Sequence, residues 1–148
     1  MWIIFQILLW CAWTLLLYWV HRAAHVLNFM KPFHDDHHNY IVDNKGTTWN
    51  INNIFLFNDT WYSTVDLWLT EVIPTLVFAI TTGAWWIAVF YWLWAAFFQE
   101  NIEHNLEFNY YPFTSGRSHL VHHQNPNKNY GLFFPIWDKL FGTYKENH

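Results

Sequence analysis

Apolar and polar residues along this chain fall into long separate blocks. From Met1 to His21 no side chain carries a formal charge, and the strongly polar positions before His21 are Gln6 and Thr14. A helix needs roughly 20 apolar residues to cross about 30 Å of hydrocarbon, so this block is long enough for one span. A cleaved signal peptide would open on a basic stretch and close on small residues, and neither precedes His21, so an uncleaved anchor is expected. A second uncharged block covers residues 72–99, long for one crossing and short for two. Thr81-Thr82-Gly83 supplies a turn near its middle and Pro74 a kink near its start. Helices over 61–80 and 84–103 then give two crossings, with Asp66 and Glu71 at the interface or against other helices.

The expected architecture is a single-domain, all-α integral membrane protein over residues 1–148. It has about three transmembrane helices, an N-terminal helix plus a hairpin, and a cytoplasmic helical cap rich in histidine. The seven basic residues Arg22, Lys31, Lys45, Arg117, Lys128, Lys139 and Lys145 lie outside these spans, and none is near Gly83. They share one side only if 61–103 crosses twice or re-enters. The positive-inside rule makes that side cytoplasmic and the amino terminus non-cytoplasmic. The Asn-rich stretch 39–60 reads as a loop, with Lys45-Gly46 as its turn.

Composition sharpens this picture. Charged residues make up 12% of the chain, against about 25% in soluble domains. Of the 12 Trp, eight lie in 2–19 and 85–94, as interfacial anchoring and aromatic packing would place them. A net charge of −4 with seven Lys+Arg excludes the basic face of a nucleic-acid binder. One Cys excludes a disulfide framework and a thiolate zinc cluster.

The chemistry lies in the histidines. Nine of the ten are ordered: His21 and His25 at i, i+4; His34, His37 and His38 in an HxxHH group; His104; and His119, His122 and His123 in a second HxxHH group. Spacings of three and four residues set imidazoles on neighbouring parts of one helix surface. Scattered structural histidines do not repeat such a pattern, and one ion cannot use nine imidazoles. Two metals with four or five nitrogens each would use them, and imidazole suits iron, zinc, copper and nickel alike. The groups meet only if an even number of crossings separates His38 from His104, which the hairpin provides.

These groups, together with Asn129-Tyr130-Gly131 and Trp137-Asp138-Lys139-Leu140-Phe141-Gly142-Thr143, resemble the fatty acid hydroxylase/sterol desaturase superfamily of integral-membrane di-iron enzymes. The likeness covers most of 21–144, and residues 21–28 and the tail look most like the alkylglycerol monooxygenase and bacterial sterol-desaturase-like branches. It implies that His21, His25, His34, His37, His38, His104, His119, His122 and His123 hold two iron ions, for which zinc can substitute in a purified sample. It also implies O₂-dependent hydroxylation or desaturation of an unactivated C–H bond in a membrane lipid such as a fatty acyl, sterol or alkylglycerol chain.

Around those ligands, Asn28 is expected on the His21/His25 face, and Glu100, one turn before His104, as a ligand, a water-bridged partner or an orienting group. Asp138 is expected in a structural role or holding an imidazole, and Asp35 and Asp36 as solvated loop residues or imidazole partners. The aromatic tail 132–137 would pack the cap against the interface or line a substrate entrance. Relatives with about four membrane helices have more apolar sequence before the first histidine pair than the single block here. No heme motif or GxGxxG is present, so electrons are expected from a separate donor on the cytoplasmic side. A carotenoid or terpenoid hydroxylase on the same scaffold is the nearest alternative. A non-catalytic metal-binding or transport protein is a third, although transport favours ionisable residues strung through the spans.

Overall fold

A computed structural model describes residues 1–44, 49–105, 107–108, 112, 114 and 116–146, and every regular element among them is helical. Helix α1 (Trp2–Ala24) is followed by α2 (Lys31–Asn44). Then α3 (Trp61–Leu67) runs through a π turn (Trp68–Val72) into α4 (Ile73–Thr82). After a tight turn, α5 (Trp85–Trp94) runs through a second π turn (Ala95–Gln99) into α6 (Glu100–Ile102), and α7 (Arg117–Gln124) and α8 (Ile136–Leu140) complete the described helices.

Local chemistry sets these boundaries. The Thr60 hydroxyl caps α3 by accepting the Ser63 amide at 2.9 Å. Pro74 lies in the first turn of α4 and has no amide to donate, and just before it the Ile73 amide reaches five residues back to the Trp68 carbonyl. The expected kink is thus a π turn. The hairpin turns at Gly83, whose φ of 73° suits a residue without a Cβ. Thr81 and Thr82 stay helical, their hydroxyls donating back to Val77 and Phe78 carbonyls at 2.8 and 2.7 Å.

The three long helical stretches form an up-down-up bundle. The Trp13 indole donates to the Thr75 hydroxyl at 2.9 Å, tying α1 to the antiparallel α4. Trp10 meets Phe90 edge-on at 4.8 Å and stacks with Trp86 at 6.1 Å, which runs α5 alongside α1. The core between them holds Trp13, Leu17, Ile87 and Tyr91, and receives Phe133 from the chain beyond α7. Asp66 and Glu71 face inward, so of their two expected placements the structure has the one against other helices. The Gln99 amide donates to both Glu71 carboxylate oxygens at 3.1 and 3.3 Å, joining the two π turns.

Among the described residues, two helices, Trp2–Ala24 and Trp61–Thr82, are long and apolar enough to cross a membrane. Only 17% of the most apolar window of α1 is buried, and its first turns expose Trp2, Ile3, Ile4 and Phe5, a surface suited to lipid. The stretch 85–102 is helical, but four indole N–H groups and the terminal Gln99-Glu100-Asn101 lower its apolarity below that of the other two.

The expected loop over 39–60 is corrected in part. Helix α2 continues to Asn44, with Ile41 buried on its inner face. Asn50 and Asn53 cap a short 3-10 turn (Ile51–Phe55) reciprocally, and the Trp92 and Trp68 indoles pin it by donating to the Ile54 and Leu56 carbonyls at 3.0 Å each. The Lys45-Gly46 turn lies outside the described residues.

Replacing Thr75 by Val leaves the buried Trp13 N–H without its acceptor. The expected loss is about 1–2 kcal/mol of stability, read as a lower thermal midpoint in detergent, while Thr75→Ser retains the bond and the midpoint.

Candidate metal centre

Helix geometry sorts the histidines. Positions i and i+4 point within about 40° of each other, whereas i+3 and i+4 diverge by about 100°, so one HxxHH group addresses two adjacent points. In α2, His34 and His38 turn to one point and His37 to the other; in α7, His122 joins the first and His119 and His123 the second. With His21 and His25 from the end of α1, the first group is His21, His25, His34, His38 and His122. With His104, the second is His37, His104, His119 and His123, and within each group the ligand nitrogens lie within 4.8 Å of one another. The groups are contiguous, since the His38 and His123 rings stack at 4.2 Å.

Hydrogen bonds settle which nitrogen faces inward. A backbone carbonyl only accepts, so His21 Nδ1–H donates to Tyr130 O at 2.8 Å and His122 Nδ1–H to Lys128 O at 2.7 Å. His34 Nδ1 lies 3.0 Å from both Asp66 carboxylate oxygens and is held the same way. The Nε2 lone pairs of these three neutral rings are left for the interior. His25 Nε2 then meets His34 Nε2 at 3.0 Å and His122 Nε2 at 3.2 Å. One N–H on His25 satisfies one of those contacts at most, and the other sets lone pair against lone pair. A cation among them removes the conflict, and about 3.0 Å is the spacing of adjacent ligands about 2.1 Å from one ion. His38 Nε2 is buried without a hydrogen-bond partner, a further nitrogen suited to such an ion. In the second group His119 and His123 bring their Nε2 atoms to 3.0 Å.

The surroundings keep the rings neutral. Burial, then the neighbouring His21, pushes His37 down to about 4, and burial with His21 and Lys31 pushes His25 down to about 3. Burial and mutual repulsion hold His34, His38, His104, His119, His122 and His123 below the usual imidazole range. Neutral imidazole is the form that binds metal.

The carbonyls facing His21 and His122 are set by a buried knot. Asp138 accepts the Tyr130 and Gly131 amides at 2.8 Å each and the Thr143 hydroxyl at 2.7 Å. Asn129, at φ 55°, brackets Lys145, accepting its amide at 2.7 Å and donating to its carbonyl at 2.9 Å. A Cβ at Gly131 would lie 2.7 Å from the Phe134 carbonyl, so the close pass requires glycine. Asp138 therefore holds the loop whose Tyr130 carbonyl faces His21.

Other expected residues divide. Glu100 is buried and lines a narrow polar cavity below the second group, together with His37, His104 and Glu103. Asn28 is corrected: α1 ends at Ala24 and the chain turns back through Leu27 toward α2, so Asn28 is exposed in the turn, off the helical face of His21 and His25. Asp35 pairs with Lys31 at the surface and Asp36 accepts from Thr60 at 3.2 Å, and neither is hydrogen-bonded to an imidazole among the described contacts. Asp66 was missed as a site residue, although a carboxylate inside an apolar helix signals a functional partner. Glu103, whose carboxylate lies 3.9 Å from His119 Nδ1, was missed as well.

The fatty acid hydroxylase sequence profile matches residues 6–143, and the chain belongs to that family. It is 26% identical over 130 residues to a Delta(7)-sterol 5(6)-desaturase of Aspergillus fumigatus, covering 87% of this chain and 36% of the relative. Likeness to a Delta(7)-sterol 5(6)-desaturase of Leptosphaeria maculans is 27% over 135 residues, 89% of this chain and 34% of that one. The alkylglycerol monooxygenase of Homo sapiens is 29% identical over 133 residues, 86% of this chain and 28% of its own. The chain thus spans about a third of the length of the curated relatives it matches. No solved structure matches it.

The buried imidazoles make stability depend on pH. In metal-free protein the unfolded histidines protonate near 6.5, while folded His37 and His25 resist protonation down to about 4 and 3. Stability is therefore full above about pH 6.5 and declines as pH falls toward 4, seen as a falling thermal midpoint across an acid series. Asp66→Ala frees the His34 ring and lowers metal affinity by about 10–100-fold in a chelator competition.

Proposed function

We propose that the chain is the catalytic unit of an O₂-dependent, non-heme di-iron oxidoreductase that hydroxylates or desaturates an unactivated C–H bond of a membrane lipid. The five-plus-four division of nine neutral imidazoles carries this reading, with lone pairs converging at 3.0–3.2 Å in the first group. Family membership and the likeness to sterol desaturases and an alkylglycerol monooxygenase support it. Two iron ions held by the two groups would supply reductive activation of O₂ and hydrogen abstraction from carbon.

The chain's own residues contribute position and enclosure. Asp66 and the Lys128 and Tyr130 carbonyls hold three rings in the metal-binding tautomer. Leu67 and Leu132 line the polar cavity beside the histidines and limit entry of water from the bundle. Three crossings bring α1, α3 and α6 to one end of the bundle, and the basic residues outside the spans make that end cytoplasmic. A separate donor on the cytoplasmic side supplies the electrons.

Metal analysis of detergent-purified, folded protein is expected to find about two ions per chain, iron and zinc counted together. One ion or none overturns the dinuclear reading. His122→Ala and His37→Ala, one from each group, are each expected to abolish turnover, measured as lipid product formed with O₂ and a reductant. In a Cys11→Ser background, Gln6→Cys is expected to label from the non-cytoplasmic side only.

A further inference from the structure

The 3-10 turn over 51–55 lies at a depth that an Asn-rich loop does not suggest. Trp13 is the middle residue of α1. It is level with Thr75 and Tyr91, meeting the first through its indole N–H at 2.9 Å and the second ring to ring at 6.3 Å. Trp92 follows Tyr91 directly, and its indole donates to the Ile54 carbonyl at 3.0 Å. That carbonyl is therefore within about two helical turns, or about 11 Å, of the middle of α1. Trp68, about 10 Å along its helix from Thr75, holds the Leu56 carbonyl at 3.0 Å. Half of a bilayer's hydrocarbon is about 15 Å thick, so a bundle spanning it with Trp13 near the centre carries this turn inside the hydrocarbon layer.

The chemistry of the turn fits that depth. Residues 51–57 carry no charged side chain, and Ile51, Phe55 and Phe57 are 60%, 65% and 46% exposed. Their surface continues the outer side of the 61–82 helix, where Ile73, Leu76, Val77 and Ile80 are exposed at spacings of three and four residues. The polar backbone finds its partners within the protein. The Asn52 carbonyl accepts the Phe57 amide at 3.1 Å and the Asn53 carbonyl the Leu56 amide at 2.9 Å. The Phe57 carbonyl accepts the buried Asn53 side-chain amide at 3.2 Å. A third indole, that of Trp49, donates to the Ala96 carbonyl of the second π turn at 2.7 Å. A loop in water has no need of such donors, because solvent serves its carbonyls. Irregular backbone at membrane depth must find them in the protein.

We infer that residues 51–57 form a re-entrant element that dips into the bilayer's hydrocarbon from the histidine end. Ile51, Phe55 and Phe57 contact acyl chains, and Trp68 and Trp92 hold the backbone down. The partner is bulk lipid hydrocarbon, not a bound substrate. The inference rests on reading α1 and 61–82 as membrane-spanning, and it requires neither metal nor turnover. It adds a fourth membrane element beside the three long helical stretches. Through Trp49 that element is tied to the π turn that brings Gln99 to Glu71.

The test is spin labelling of protein in phosphatidylcholine vesicles, with Cys11→Ser as background. One nitroxide at a time is placed on Ile51→Cys, Phe55→Cys, Leu8→Cys or Lys145→Cys. Leu8, exposed on α1, marks hydrocarbon, and the exposed Lys145 marks water. Power saturation compares collisions with O₂, which concentrates in hydrocarbon, and with a water-soluble nickel chelate. The oxygen-to-nickel ratio at Ile51 and Phe55 is expected to be within twofold of that at Leu8 and at least fivefold above that at Lys145. Ratios at both positions that match Lys145, with Leu8 in hydrocarbon, overturn the re-entrant assignment. An aqueous ratio at Leu8 overturns the membrane span itself, which is a separate failure. With the label at Phe55→Cys, Trp68→Phe and Trp92→Phe each keep an aromatic ring but lose the donor, and each is expected to lower the ratio at least twofold. An unchanged ratio in both removes the indoles' part in holding the turn down. Should those two variants not fold, the labels in the parent background still decide the depth.

Discussion

The structure depends on one electrostatic conflict, lone pairs aimed at one another across about 3 Å inside a dry interior. Three imidazoles are fixed with their protons outward, two by carbonyl oxygens and one by a buried carboxylate. A fourth, His25, is shared between two of them. Such a group is poorly solvated and cannot easily protonate, because burial opposes charge on every ring. The helices around it must therefore be held together by other means. The Trp13–Thr75 bond, the aromatic packing around Phe133 and the Asp138 knot supply that hold.

The π turns serve the same constraint. Each inserts an extra residue into a long helix near the cap end and re-aims the helical turns beyond it. One carries Glu71 inward and the other carries Gln99 to meet it, just before Glu100 and Glu103 reach the second histidine group. Polar groups are thereby concentrated at one end of an otherwise apolar bundle.

Most of the site could be read in the sequence because ligand spacing on a helix is a local property. The i, i+3, i+4 pattern contains the split of each HxxHH group between two points, and the apolar blocks contain the helices that carry them. The features that escaped were nonlocal. The carbonyls of Lys128 and Tyr130 belong to backbone that any residue type would supply, and only the fold places them on His122 and His21. Asp66 looked like a burden on a membrane helix until the turn after α1 brought His34 to it. That same turn removed Asn28 from the histidine face, since helical register was extended past the point where the chain reverses. For Asp138 the sequence left a structural and an imidazole-holding role open, and its carboxylate accepts a pair of backbone amides.

The Asp138 knot also bears on the order in which the protein is made. A ribosome delivers His21 early and residues 128–145 late, and chains begin to organise from the amino end. Until the late segment is in place, the Tyr130 carbonyl cannot orient His21, nor the Lys128 carbonyl His122. The early histidines therefore wait unaligned, and the complete donor set arises only once residues 128–145 have followed them. Alignment of the donors is thereby postponed until that segment has folded back onto the rings, so that geometry rather than order of synthesis sets what the two groups can hold.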